Sequence, residues 1–235
     1  MPDSSRRDAP PAADGYIGGP AATTRAMDGA LANVDDAVAV VLVEGITDQI
    51  ALEAAAARRG RDLEAERVVV VPIGGAHAIG RVLARFAPER TRVRLAGLCD
   101  LREEELFRRE LVAAGVGSPR TRRDMERLGF HVCVDDLEDE LMRSVGAAGI
   151  ERLFDAHGDL RSFRSFQGQP AWRGRDLQDQ MYRFVRSSSR RNLRYVRLLA
   201  DDAADRDALP RPLDSLLAVT LAAPAGPAGS AAEPS

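Results

Sequence analysis

At 235 residues, 45% hydrophobic and 29% charged, the chain can bury a proper core and has the composition of an ordinary soluble globular protein. The net charge of −3 gives no overall affinity for polyanions, and because every basic side chain is Arg there is no Lys to complete a Walker-type phosphate loop. No apolar run approaches the roughly 18 residues of a membrane span, and Arg6 and Arg7 lead into Asp8 and Pro10 rather than an apolar signal region, so a cytoplasmic location and no membrane association are expected.

Residues 1–35 are rich in Ala, Gly, Pro, Ser and Asp without sustained periodicity, which predicts a flexible tail, and the Pro- and Ala-rich stretch 222–235 predicts another. Residues 37–43 read as a buried strand, short and β-rich. A helix follows, with Thr47 as a possible cap, Asp48 at its positive end and Gly60 closing it. The plan repeats: strand 67–73, a Gly74-Gly75 turn and a helix over 76–86, then strand 93–99 and a helix over 103–114. Residues 118–123 form a basic loop or helix start, strand 130–134 comes next, and a helix begins near Asp136. Strands alternating with helices through short connections predict an α/β fold with a parallel four-stranded sheet flanked by helices over 36–147. Beyond Gly146 the alternation stops. Short helices over 150–156, 177–185 and 192–199, with a last one over 210–218, predict an Arg-rich helical C-terminal extension spanning 148–221.

Three strands end in acid. The run before Gly45 stops at Glu44, with Asp48 one helical turn on. The strand through Cys99 delivers Asp100, and the strand through Cys133 delivers Asp135, Asp136 and Glu138. In a parallel sheet these acids gather along one edge, where open α/β sheets keep their sites. Carboxylates grouped there repel one another and are costly to desolvate, and a Mg²⁺ or Mn²⁺ ion offsets both costs while bridging to phosphate oxygens. Each acid also has a plain structural use: Asp48 as complement to a helix dipole, Asp100 as a helix cap, Asp135 with Glu138 as a capping box, and Glu103 to Glu105 as a solvated first turn. Cys99 and Cys133 sit in apolar runs, as small buried thiols do.

Residues 161–197 hold ten Arg against Asp176 and Asp179, a local charge of +8 that leaves −11 for the rest of the chain. Phe163, Phe166, Trp172, Tyr182, Phe184 and Tyr195 are interleaved with them. Such asymmetry points to an anionic partner, with Arg173, Arg175, Arg186, Arg190, Arg191 and Arg194 as the nucleic-acid contacts, though most of the aromatics also suit a small core. His77, after Gly75, is placed to meet a phosphate at a helix N-terminus, whereas His131 and His157 read as structural.

VVLVEGITD, VPIGGAH, GLCDLREE and DDLEDEL, in this order, resemble the TOPRIM domain, the Rossmann-like metal-binding fold shared by topoisomerases, bacterial primases and the OLD (overcoming lysogenization defect) family nucleases. The OLD-type version is the most similar, and the likeness covers about residues 38–146. The resemblance implies that Glu44 is a metal ligand or general base, that Asp48 is the second acid of the first motif, that Asp100 is the first Asp of a D-x-D pair, and that Glu138 is the acid of the later motif. Arg102 replaces the second Asp of that pair, with Glu103 next to it as a substitute. Arg191 stands where a catalytic Lys is expected, keeping the charge but not an ammonium's geometry. OLD-type nucleases usually carry an ATPase domain ahead of TOPRIM, which this sequence lacks, so an ATPase partner in trans is one expectation.

Together these readings predict a Mg²⁺- or Mn²⁺-dependent endonuclease acting on DNA. Glu44, Asp48, Asp100 and Glu138 would surround the metal, and Glu44, Asp100 and Arg191 would carry the catalysis. The alternatives are a non-catalytic module that binds nucleic acid or a partner protein, and an enzyme acting on a small phosphorylated nucleotide.

Overall fold

The computed structural model describes residues 20–86 and 93–221. Four short apolar runs lie parallel in one sheet: β1 (Ala39–Val43), β2 (Val68–Pro72), β3 (Arg94–Asp100) and β4 (Phe130–Cys133), in the order β2-β1-β3-β4. All five residues of β1 are buried because the strand is covered on both faces and paired along both edges. The two-residue period assigns its side chains: Ala39, Val41 and Val43 enter one core, Val40 and Leu42 the other.

Helices cover both faces. On one side lie α1 (Pro20–Ala32), α3 (Ile79–Leu83), α4 (Glu104–Ala113) and α5 (Arg122–Arg127), whose apolar residues join Val40, Leu42 and Phe130 in the smaller core. On the other lie α2 (Ile46–Arg58), α6 (Leu137–Ala156), α7 (Leu160–Gln167), α8 (Leu177–Val185), α9 (Ser189–Asp205) and α10 (Arg211–Leu221). Their buried residues, from Ile50 through Phe154 and Tyr195 to Leu217, form one continuous core with β1 and β3. Helix α9 packs along both α2 and α6, and α10 lies against β3 and β4. The C-terminal helices are therefore the second cover of the sheet. No described helix is long and apolar enough to cross a membrane. Cys99 and Cys133 are buried free thiols.

Several elements depart from expectation. The tail predicted over 1–35 includes α1, whose Met27, Ala30 and Leu31 pack on the smaller core; residues 1–19 and 222–235 lie outside the described residues. The helix predicted over 76–86 is broken into 3₁₀ turns at Ala76–Ala78 and Ala84–Phe86 around the short α3. Helix α6 runs from the sheet domain into the extension, interrupted only by Gly146, whose φ of 72° lies in the left-handed region. Helix α7 is an addition to the expected elements: two polar residues separate each of its apolar positions Leu160, Phe163 and Phe166, and eight residues are too short a run for that period to stand out. Thr47 is not the cap of α2: Gly45 holds that place and donates its N–H to the Asp48 carboxylate. Asp136, rather than Asp135, caps α6, accepting the Asp139 N–H at 2.8 Å.

At the centre of β3, Gly97 has no room for a side chain. A Cβ there would meet the Leu42 carbonyl oxygen and the Phe130 ring, each at 2.8 Å. Gly97→Ala is expected to cost about 1–3 kcal/mol, because two strands and a buried ring must shift together. Urea denaturation checks this, and an unchanged midpoint would contradict it.

Candidate metal centre

The sheet reverses its direction of winding between β1 and β3, leaving a crevice beyond their C-terminal ends. Glu44 follows β1 there, and its Oε1 accepts the N–H of Asp100, the last residue of β3, at 2.9 Å. The Glu44 carbonyl is fixed as well, accepting from Gly74 at 3.1 Å and Gly75 at 2.9 Å. Their φ values of 78° and 103° let the chain turn back onto Glu44, which gives the glycine pair a structural use. Asp48, in the first turn of α2, has one carboxylate oxygen tied to the Gly45 N–H at 2.9 Å. Glu138, in the first turn of α6, is 6% exposed and accepts from the Asn192 amide at 3.3 Å.

Electrostatics ties these groups together. Burial raises the Glu44 carboxyl, and Glu103, Glu138 and Asp136 raise it further, against the lowering Asp100 N–H. Asp48 is half-buried as a residue, but its carboxylate is enclosed, and burial followed by Glu138 pushes it well above the usual range. Asp100 is pushed up to about 7, first by burial and then by Glu44, Asp136 and Glu138. Glu138 is raised by burial and by Asp136, with Arg186 and Asn192 opposing. Among the described residues, Glu44, Asp48 and Asp100 enter no ion pair.

Among the described residues, no group of three or more His, Cys, Asp or Glu side chains forms a ready-made metal cage. The donor chemistry still suits a hard divalent cation. Mg²⁺ takes oxygen ligands, keeps several waters and is held by one or two carboxylates plus substrate phosphate. Mutually repelling, partly desolvated carboxylates, opposed only in part by Arg102 at Asp100 and Arg186 at Glu138, are what such an ion relieves.

The raised carboxyls fix the sign of a pH dependence. Asp100 has an ordinary value of 3.8 and sits near 7 in the folded chain. The folded state therefore holds its proton more tightly, so this group's stabilising contribution is full below about pH 4 and is lost as pH rises through about 7. Asp100→Asn stays neutral throughout. Without metal, the variant should melt close to wild type near pH 4 and clearly higher near pH 8. Thermal unfolding in EDTA at both values checks this, and parallel curves would contradict it.

The arginines divide into two groups. Arg186 reaches the acidic edge, donating to Asp136 at 2.7 Å and lying 3.9 Å from Glu138, while the Tyr182 hydroxyl donates to the same Asp136 oxygen. Arg191, expected on the phosphate, is turned elsewhere. Its Nη1 donates to the Phe184 carbonyl at 3.2 Å and to Ser187 Oγ at 2.6 Å, and its guanidinium lies 4.1 Å from the Phe184 ring centre. Arg194 pairs with Asp159. Arg173 and Arg175 are exposed, as is Arg190 at the start of α9. The local +8 overstated the free charge, because Asp136, Glu151, Asp159 and Asp201, all outside residues 161–197, approach these arginines in space.

The sequence places Asp136 among the strand-end acids but outside the expected ligand set, and gives no sign of Tyr182 and Asn192 as neighbours of the acids. They come from α6, α8 and α9, and only packing brings them to the edge. His77 is exposed; His131 is buried with Nε2 unpartnered.

Residues 37–101 match the model of the family described as overcoming lysogenization defect protein-like, TOPRIM domain. That span includes Glu44, Asp48 and Asp100 and stops short of Glu138. No curated protein matches the chain. Among solved structures, the C-terminal region of the Xanthomonas campestris pv. campestris OLD protein is similar with a TM-score of 0.55 at 20% identity, covering 79% of this chain and 94% of that one. The C-terminal region of the Burkholderia pseudomallei OLD protein is similar with a TM-score of 0.54 at 16% identity, covering 78% of this chain and 96% of that one. At these identities the likeness is one of fold, and it extends well past the family match into the C-terminal helices. The chain thus carries an OLD-like TOPRIM domain over residues 37–101, set in a four-stranded parallel sheet flanked by helices.

Proposed function

We propose that the acidic edge holds a divalent cation, Mg²⁺ or Mn²⁺, and that the protein hydrolyses phosphodiester bonds in DNA. The observation that carries this reading is the convergence of Glu44, Asp48 and Asp100 from three separate elements, each carboxyl raised by burial and by its neighbours and none ion-paired among the described residues. The OLD-like TOPRIM match over these three residues supports a nuclease-type activity.

Glu44, Asp48 and Asp100 are the proposed ligands, with Glu138 as a further acid whose charge acts on all three and Glu103, whose charge acts on Glu44, as the proposed substitute where the D-x-D pattern has Arg102. A bound divalent ion would supply Lewis-acid stabilisation of the phosphoryl oxygens and a more acidic water. Glu44 is positioned by the Asp100 N–H on one oxygen, which leaves the other to ligate or to take a proton, and its raised carboxyl is suited to general-base work nearer neutral pH. Arg186, rather than Arg191, is the cation that reaches the edge, and we assign it the phosphate-neutralising part. An ATPase acting in trans is the protein partner this reading anticipates.

A non-catalytic module that binds nucleic acid is the second reading, favoured by Arg102 in place of an acid and by the lack of a ready-made cage among the described residues. Supercoiled plasmid incubated with purified protein and Mn²⁺ or Mg²⁺ separates the two. Nicking that disappears in the double variant Glu44→Ala, Asp100→Ala is the expected result. Nicking untouched by that variant would overturn the site. Salt-sensitive binding without cleavage in either metal selects the second reading.

A further inference from the structure

Outside the acidic edge, the extension carries a cavity of about 450 Å³ walled by Ala171, Trp172, Arg175, Asp179, Tyr182 and Arg183. Its walls are built rather than incidental. Gln180, 5% exposed, donates through Nε2 to the Trp172 carbonyl at 2.8 Å and the Arg175 carbonyl at 3.2 Å, and its Oε1 accepts from Gln167 at 2.6 Å. A buried amide thus fixes the loop that presents Trp172 and Arg175. Phe166 backs the indole, with ring centres 5.0 Å apart and planes 29° from parallel, and takes no part in the cavity wall. Among the described residues, Arg175 and Arg183 enter no ion pair, unlike Arg186, Arg191 and Arg194 nearby. Tyr182 belongs to this cavity and also donates to Asp136, whose charge raises Asp100 and Glu44, so a single side chain separates the cavity from the acidic edge.

We propose that this cavity seats an unpaired nucleobase of a single-stranded nucleic acid, stacked against Trp172 with Tyr182 as the second wall and its flanking phosphates on Arg175 and Arg183. An aromatic platform supplies the sequence-tolerant stacking that single strands use, and unpaired guanidinium groups supply the salt-dependent part of the affinity. A duplex base is already stacked on its neighbours and does not enter. The inference rests on the nucleic-acid reading above and narrows it: the strand presented to the acids is locally unpaired.

Trp172 is the only tryptophan in the chain, so its fluorescence reports the cavity directly. The experiment titrates wild type with an oligothymidylate in EDTA, follows indole emission, and measures total binding in parallel by anisotropy of a labelled oligothymidylate. Saturable quenching is expected, weaker in higher salt. A blunt duplex of equal length should quench little. In the double variant Arg175→Ala, Arg183→Ala, affinity should fall about tenfold or more. Oligothymidylate binding without any change in emission overturns the proposal, as does no binding, equal quenching by duplex, or unchanged affinity in the arginine variant. Because the reading is made without metal, a negative result here leaves the plasmid assay to judge the acidic edge separately.

Discussion

Glu44→Gln is expected to lower metal-dependent nicking at least 100-fold while leaving the fold intact. Gln keeps the side-chain volume and an amide oxygen that can still accept the Asp100 N–H now bonded at 2.9 Å, so β1 and β3 stay in register. What disappears is one negative charge at the place where burial, Glu103 and Glu138 already disfavour it. The metal-free variant should therefore melt no lower than wild type, and the increment in melting temperature on adding Mn²⁺ should shrink. Stability and activity moving in opposite directions is the signature of a group retained for function at a cost to the fold. Nicking within about threefold of wild type would remove Glu44 from both of its proposed roles.

The largest expected loss of stability comes from Phe154→Ala, at about 3–5 kcal/mol. Phe154 is fully buried on α6, and its ring meets those of Phe163 at 4.9 Å, Tyr195 at 5.1 Å and Phe184 at 5.2 Å. One side chain thus joins α6, α7, α8 and α9, and the last two carry the residues that attend the acids: Tyr182 and Arg186 on or at the end of α8, and Asn192 on α9. Removing the ring leaves a cavity that four helices cannot all close. Chemical denaturation measures the loss. A change below about 1 kcal/mol would show that the aromatic cluster does not hold the extension to the sheet.

The linkage between that cluster and the acidic edge explains why some of the candidate site could be read from residues alone and some could not. Glu44 and Asp100 each stand at the end of a run that can only be a buried strand, and parallel strands bring such ends to one edge whatever the details of packing. Asp48 follows because a helix entered through Gly45 places its third residue back over the turn. The regular periods of strand and helix were enough for these placements, and for the sheet itself.

Arg186 and Arg191 mark where that reasoning stopped. Both lie in one arginine-rich stretch, five residues apart, and composition treats them alike. Packing separates them: Arg186, at the end of α8, extends to Asp136, while Arg191, in the first turn of α9, folds back onto the Phe184 ring and carbonyl. Asp136 rose in importance for the same reason, since Tyr182 lies 46 residues away in the chain. Local patterning determined the strands, their order of acids and the edge on which they meet. Which arginine faces those acids, and which aromatic residues form core and which line a cavity, was decided by helix packing, because side-chain partners distant in sequence leave no periodic trace in it.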